Sequence, residues 1–245
     1  MMIGIISAMQ EEVQSLLDAL QNCNTIEKGM RTYYTGMIYN KPVVIVFSRW
    51  GKVAAATTTT QLINDFDLKE LIFTGVAGGI DQQLNIGDVV IGKELFQHDV
   101  DARPFYQQFH IPILNLKSVS TANTNKLKHA VSLFLNDYNT FILKEERINF
   151  GISNPKSVIG DIASGDQFIS SKERIKSLNL NLPTAVCVEM EGAAVAQVCY
   201  EYSIPFSIIR VISDKANDNA HIDFSRFANT IASNYILGIL EYYFA

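Results

Sequence analysis

The sequence predicts one α/β domain, residues 1–245, built on a largely parallel sheet, and three observations predict it. Ala185 to Asp214 (AVCVEMEGAAVAQVCYEYSIPFSIIRVISD) reads as strand, helix, strand, the repeating unit of an α/β fold. Within it, Phe206 to Ile212 is a near-continuous apolar run rich in β-branched residues, the pattern of a strand buried on both faces. A chain of 245 residues that is 48% hydrophobic can also bury a full core, and no linker, repeat or low-complexity segment divides it.

Each element follows from its local pattern. Met2 to Ile6 is an apolar strand that turns at Ser7-Ala8 into a helix expected from about Met9 to Leu20, with Val13, Leu16, Leu17 and Leu20 on one face. Arg31 to Tyr39 and Pro42 to Phe47 alternate around Tyr39-Asn40-Lys41, which gives a hairpin. Ser48-Arg49-Trp50-Gly51-Lys52 then leads into an Ala/Thr-rich helix through about Asn64. Leu71 to Thr74 is a strand opening into a glycine loop, Gly75 to Gly79. That loop lacks the GxGxxG spacing of a dinucleotide site but lets the backbone approach a small ligand.

Ile86 to Ile91 is a further strand, Pro104 to Leu116 is irregular, Asn123 to Leu135 is a helix and Lys156 to Ala163 a strand. Ser170-x-x-Glu173 is a capping box opening a short helix. From Glu191 a helix presents Ala194, Val195, Val198, Cys199 and Tyr202 as one apolar face until Pro205 stops it. Asp218 to Asp223 is a polar loop, and Phe224 to Tyr243 a long closing helix.

Composition excludes several function classes. A net charge of −5 leaves no basic footprint for nucleic acid or an anionic membrane. The three cysteines form no CxxC pair, which points to free thiols in a reducing compartment. No apolar run approaches the roughly 18 residues needed to span a bilayer. Met1 to Ile6 has no basic leader and is a short apolar run with acids from Glu11, so it does not read as a signal peptide and the expected location is the cytoplasm. His98-Asp99-Val100-Asp101 offers metal-ligand types, but there is no HExxH spacing or second cluster. A polar loop or subunit contact accounts for it equally well, and neither metal nor cofactor is expected.

Acids or glycine turns recur at predicted strand ends, where open α/β sheets place their ligand crevices: Glu12, Gly75 to Gly79, Ser164 to Phe168, Glu191 and Asp214. Taken singly, these acids are equally well ordinary first-turn or turn residues. Glu189 and Glu191 are two apart, so on a helix at most one faces the crevice. Glu191, in the first turn where the helix dipole favours a carboxylate, is the better candidate. The lone Trp50 either lines a pocket or caps the core. Several carboxylates, few cations and flanking aromatics suit a neutral, hydroxylated ligand with a flat apolar part, and a nucleoside fits that description.

Seven motifs occur in order: Ile3-Gly4-Ile5-Ile6-x-Ala8-Met9-x-Glu11-Glu12-Val13, Gly51-Lys52-Val53, Thr74-Gly75-x-Ala77-Gly78, His98-Asp99-x-Asp101, Ser164-Gly165-Asp166-x-Phe168, Val188-Glu189-Met190-Glu191 and Ser213-Asp214. On these, the chain resembles the bacterial 5′-methylthioadenosine/S-adenosylhomocysteine nucleosidases of the nucleoside phosphorylase superfamily, from residue 3 to about residue 230. The resemblance implies a three-layer αβα sandwich with a central mixed β-sheet and a homodimer. It implies hydrolysis of an N-glycosidic bond, releasing adenine and a 5-thio-substituted ribose, a step of methionine salvage.

By position it implies that Glu12 activates the attacking water and Asp214 protonates adenine at N7. Glu191 binds the ribose hydroxyls with Met190 beneath the sugar, Phe168 stacks on adenine and the Ile169 backbone contacts the base. Phe224 lines the 5′-alkylthio pocket, with Phe105 and Ala102 entering from the partner subunit. Met9, Trp50, Val76, Ala77, Gly78, Glu189, Arg210 and Ser213 complete the implied substrate-binding set.

These roles require Asp214 to be protonated, expected from burial behind Ile208, Ile209, Val211 and Ile212, and Glu12 to be ionised. Acceptance of 5′-deoxyadenosine and 6-amino-6-deoxyfutalosine stays open. Departures from the family pattern are Ser7 for Gly, Trp50 for a smaller aliphatic residue, Val76 for Ser and Gly192 for Ala. They motivate one rival, a catalytically impaired nucleoside-binding protein. The other rival is a purine nucleoside phosphorylase, which needs cations around phosphate where this chain offers Gln10, Glu11 and Glu12.

Overall fold

The computed structural model describes residues 1–215 and 224–245, without the side chain of Phe224; the expected loop from Asp218 to Asp223 lies outside the described residues. The first half of the chain gives β1 (Met2–Ser7), α1 (Gln14–Asp18), β2 (Gln21–Lys28), β3 (Arg31–Ile38), β4 (Lys41–Phe47), α2 (Lys52–Asp65), β5 (Leu68–Gly79) and β6 (Val89–Gln97). Then follow β7 (Val119–Ser120), α3 (Thr124–Phe141), α4 (Lys144–Asn149), β8 (Ser157–Ser164), α5 (Lys172–Asn181), β9 (Ala185–Glu189), α6 (Gly192–Glu201) and β10 (Phe206–Asp214). The chain closes with α7 (Phe224–Phe227), one wide π-helical stretch (Ala228–Ala232) and α8 (Ser233–Phe244).

All strands join one mixed sheet. β1 runs parallel to both β4 and β5, and β10 is parallel to β5 but antiparallel to β6. β8 is parallel to β6 and β9, and β9 meets the end of β5 antiparallel. The strands β5, β10, β6, β8 and β9 therefore close on one another, while β1, β4, β3 and β2 extend from β5 as an open wing.

Side-chain alternation sorts the core into two layers. Val43 and Ile45 of β4 pack with α3 and α8 residues such as Phe134, Tyr235 and Ile239. Val44 and Val46 of the same strand pack with Leu62 of α2 and Val195 of α6. Helices thus cover both faces of the sheet, the expected three-layer arrangement.

The differences from the sequence reading have local causes. The helix expected from Met9 shrinks to Gln14–Asp18, because residues 8–13 turn around the buried Glu12 side chain. The expected glycine loop is strand instead. Gly75, Val76 and Ala77 pair with Arg210, Val211 and Ile212, and Gly78 and Gly79 pair with Val188 and Cys187. The capping serine of α5 is Ser171, whose side chain accepts the Arg174 N–H, one position beyond the expected Ser170. The polar, exposed β2 and the short α4 were not expected. Among the described residues no helix is long and apolar enough to cross a membrane.

Candidate active site

Residues at or just beyond the carboxyl ends of β1, β5, β8, β9 and β10, the loop after β4 and the start of α7 enclose a cavity of about 530 Å³. Its wall brings together Met9, Glu12, Trp50, Val76, Ala77, Gly78, Phe168, Ile169, Glu189, Met190, Glu191, Ser213 and Asp214. Arg210 is not on the wall; it is 1% exposed, behind Glu189. Ala102 and Phe105 are also absent from the wall of this chain's cavity, Phe105 being 88% exposed, and the Phe224 side chain lies outside the described residues. Ala8, Gln167, Val188 and Ser225 also line the cavity, though the sequence reading names none of them as a site residue. Each adjoins a residue that is so named, and that adjacency was the available signal.

Glu12 is 2% exposed and fully engaged by donors. Its Oε2 accepts the Ser7 hydroxyl and the N–H groups of Ala8 (3.1 Å) and Met9 (3.1 Å), and its Oε1 accepts the Val76 N–H at 2.9 Å. A Cβ on Gly75 would stand 2.7 Å from Oε1, so only glycine lets β5 approach the carboxylate this closely. Ser7, a departure from the family's glycine, is here a donor to Glu12. Burial raises the Glu12 pKa, and the donors together with Arg210 only partly offset it. The result is a carboxylate with increased affinity for a proton, as a general base requires.

Glu189 and Glu191 both line the cavity, Glu189 ending a strand and Glu191 capping the helix that follows, but donors from the protein take up the Glu189 carboxylate. Glu189 accepts Arg210 Nη2 at 2.7 Å, the N–H groups of Glu191 (3.1 Å) and Gly192 (2.8 Å), and the Ser164 hydroxyl. The Arg210 guanidinium also lies 4.0 Å over the Phe73 ring. Gly192 stands where a Cβ would meet Ile208 Cδ1 at 2.6 Å and Glu189 Oε1 at 3.0 Å, which accounts for the departure from Ala.

Glu191 accepts the Gly51 N–H at 2.7 Å. Burial first, and then the nearby Glu189, push its carboxyl up to about 8. The folded chain therefore holds a proton there that the unfolded chain releases near 4.5. The stability this proton confers is fully present below 4.5 and is lost as pH rises through about 8. Glu191→Gln keeps the acceptor for Gly51 and removes the titration. Its melting temperature, measured against wild type from pH 5 to 9, is expected to gain on wild type with rising pH, by on the order of 2–4 kcal/mol in stability. A pH-independent difference rejects the assignment.

Asp214 ends β10, and the Ser213 hydroxyl donates to its Oδ2 at 2.7 Å. Ile208, Ile209, Val211 and Ile212 are fully buried, but Asp214 itself is only half-buried, so the strand does not shield it as expected. Trp50 is 65% exposed on the cavity rim and caps no core. His98-Asp99-Val100-Asp101 does not converge on a centre: Asp99 pairs with Lys52 and Asp101 with Arg103. Among the described residues no cluster of three His, Cys, Asp or Glu side chains could hold a metal.

The family model described as the phosphorylase superfamily matches residues 2–243. The chain is 38% identical to the 5′-methylthioadenosine/S-adenosylhomocysteine nucleosidase of Staphylococcus aureus (strain bovine RF122 / ET3-1) over 94% of each chain. It is similar to the solved structure of the nucleosidase of the same name from Colwellia psychrerythraea 34H in complex with adenine. That match has a TM-score of 0.85 and 34% identity and covers 99% of this chain and 95% of that one. It is also similar to the futalosine hydrolase of Helicobacter pylori strain 26695, with a TM-score of 0.80 and 32% identity over 97% and 96% of the two chains. These relatives are hydrolases by name, which sets the phosphorylase alternative aside. The chain belongs to the phosphorylase superfamily and, within it, to the 5′-methylthioadenosine/S-adenosylhomocysteine nucleosidases.

Proposed function

We propose that this nucleosidase, acting through a single domain, hydrolyses the N-glycosidic bond of 5′-methylthioadenosine and S-adenosylhomocysteine, in the manner of a methionine-salvage enzyme. Water adds to C1′ of the ribose as the C1′–N9 bond breaks, its electrons passing to the departing adenine. Glu12 takes the proton of the water and Asp214 delivers one to N7 of the base. Glu191 and Met190 hold the ribose, and Phe168 and Ile169 the adenine.

The observation that carries this reading is the Glu12 wall. It presents a carboxylate to the cavity, and no Lys or Arg is among the described residues lining it. Such a wall repels phosphate and leaves water as the nucleophile. Adenine release from methylthioadenosine is therefore expected to be unchanged by millimolar inorganic phosphate; a rate proportional to phosphate sinks the hydrolytic reading. Equilibrium binding of methylthioadenosine without adenine release would instead indicate an impaired binding protein. The likeness to a futalosine hydrolase supports testing 6-amino-6-deoxyfutalosine, and 5′-deoxyadenosine completes the substrate panel.

The 5′ end of the cavity is completed, in this proposal, by Ala102 and Phe105 of a second copy of the chain. Phe105 and Ile113 on that segment are 88% and 86% exposed, an apolar face suited to a homodimer. Sedimentation at assay concentration distinguishes dimer from monomer.

A further inference from the structure

Lys52 and Asp99 take no part in the proposed reaction, yet they tie two segments that shape the cavity, the loop after β4 and the turn after β8, to the end of β6. Lys52, the first residue of α2, directs Nζ to Asp99 Oδ1 at 2.6 Å and Gln97 Oε1 at 3.1 Å, at the end of β6. The other Asp99 oxygen accepts the backbone N–H of Asp166, in the turn after β8, at 2.8 Å. The Asp166 side chain returns to accept the Lys52 N–H at 2.7 Å, which closes a ring.

Both ends of this ring lead to the cavity. One residue before Lys52, the Gly51 N–H donates to Glu191. Two residues after Asp166, Phe168 stands on the cavity wall. Gly51 has φ +90°, and a Cβ there would lie 2.9 Å from Asp166 Oδ1, so the two loops meet closely as well as in register.

The pair is shielded, with side chains only 16% and 15% exposed, and gains more than a surface ion pair does. Burial alone would raise the Asp99 carboxyl, but the Lys52 ammonium and the Asp166 N–H outweigh it and hold the group below the ordinary carboxylate range. Neither residue is on the cavity wall.

We infer that Lys52 and Asp99 are positioning residues: their ion pair sets the Gly51 N–H against Glu191 and holds the turn bearing Phe168 across the cavity. It acts on turnover through Glu191 and on base binding through Phe168. The inference rests on the roles proposed above for those two residues. When the clasp is broken the loops move apart, and a misplacement of about 1 Å at such groups costs on the order of 10²-fold in rate.

The test uses the full chain with Lys52→Met, Lys52→Arg, Asp99→Asn and the double variant Lys52→Met/Asp99→Asn. The measurements are kcat and KM for methylthioadenosine, the Kd of adenine by calorimetry, and melting temperature. Lys52→Met and Asp99→Asn are each expected to lower kcat/KM by roughly 10- to 100-fold and to weaken adenine binding. Lys52→Arg retains charge and reach and restores most of both, and the double variant is no worse than the poorer single one. A merely structural pair lowers the melting temperature but leaves kcat, KM and adenine binding of the folded enzyme within about twofold of wild type, and that result overturns the proposal. If Lys52→Met does not fold, Asp99→Asn, which preserves shape, carries the same comparison. Adenine binding reads the clasp without turnover, so a wild-type chain that binds adenine but hydrolyses nothing counts against the reaction and leaves the clasp decided.

Discussion

With Asn in place of Asp214, adenine release is expected to fall by on the order of 10²–10⁴-fold while a non-hydrolysable 5′-thio nucleoside still binds. The substitution preserves shape: the amide oxygen accepts the Ser213 hydroxyl as the carboxylate does at 2.7 Å, and the amide N–H can still donate to N7 of the base. An amide is far too weak an acid to give that proton up. Ground-state contacts survive and the transition-state contact is lost, so kcat drops with KM little changed. The half-buried position of Asp214 suits a group that the incoming base covers, since losing water raises a carboxyl's hold on its proton. Single-turnover assays of adenine release, alongside calorimetric binding of the analogue, check both halves. If the variant keeps kcat within about tenfold of wild type, the acid is elsewhere.

How much of this site was legible in the sequence depended on whether a residue's role was local. Buried runs declared themselves. Phe206 to Ile212 could only be a strand covered on both faces, and Asp214 at its end followed from that. The small residues of α6 likewise announced a helix pressed close to the sheet. The edge strand β2 carries QNCNTIEK, wholly exposed, and owes its conformation to pairing with β3, a long-range condition that no local periodicity encodes. The glycines after Thr74 read as a loop because the sequence shows flexibility but not its use, which for Gly75 is to let Glu12 lie against the strand. Glu189 and Glu191 both reach the wall because one ends a strand and the other caps a helix, and a two-residue spacing has a different meaning there than within a helix. Arg210, a lone cation within an apolar run, was the one clue to the ion pair beneath the site.

Glu12→Gln is expected to remove activity as deeply as Asp214→Asn, by on the order of 10²–10⁴-fold, and to leave a different trace in the pH profile. The carboxylate accepts one N–H at Oε1 and three donors at Oε2. A glutamine has one accepting oxygen and a donating NH₂ group. Its better orientation places oxygen on the Oε2 side and leaves the Val76 N–H facing a second donor. A buried unpaired N–H costs about 1–3 kcal/mol, partly offset because no charge is buried any longer. The variant therefore folds while losing the base. Because burial raises the Glu12 pKa above 4.5, kcat/KM of the wild type is expected to fall on the acid side as Glu12 takes up its proton, at a pH above that value. Asp214→Asn keeps that acid limb at its reduced rate, and Glu12→Gln abolishes it along with the rate. Complete pH–rate profiles of the two variants thus assign base and acid separately. An unchanged acid limb in Glu12→Gln would move water activation to another carboxylate of the cavity, with Glu191 the first to test.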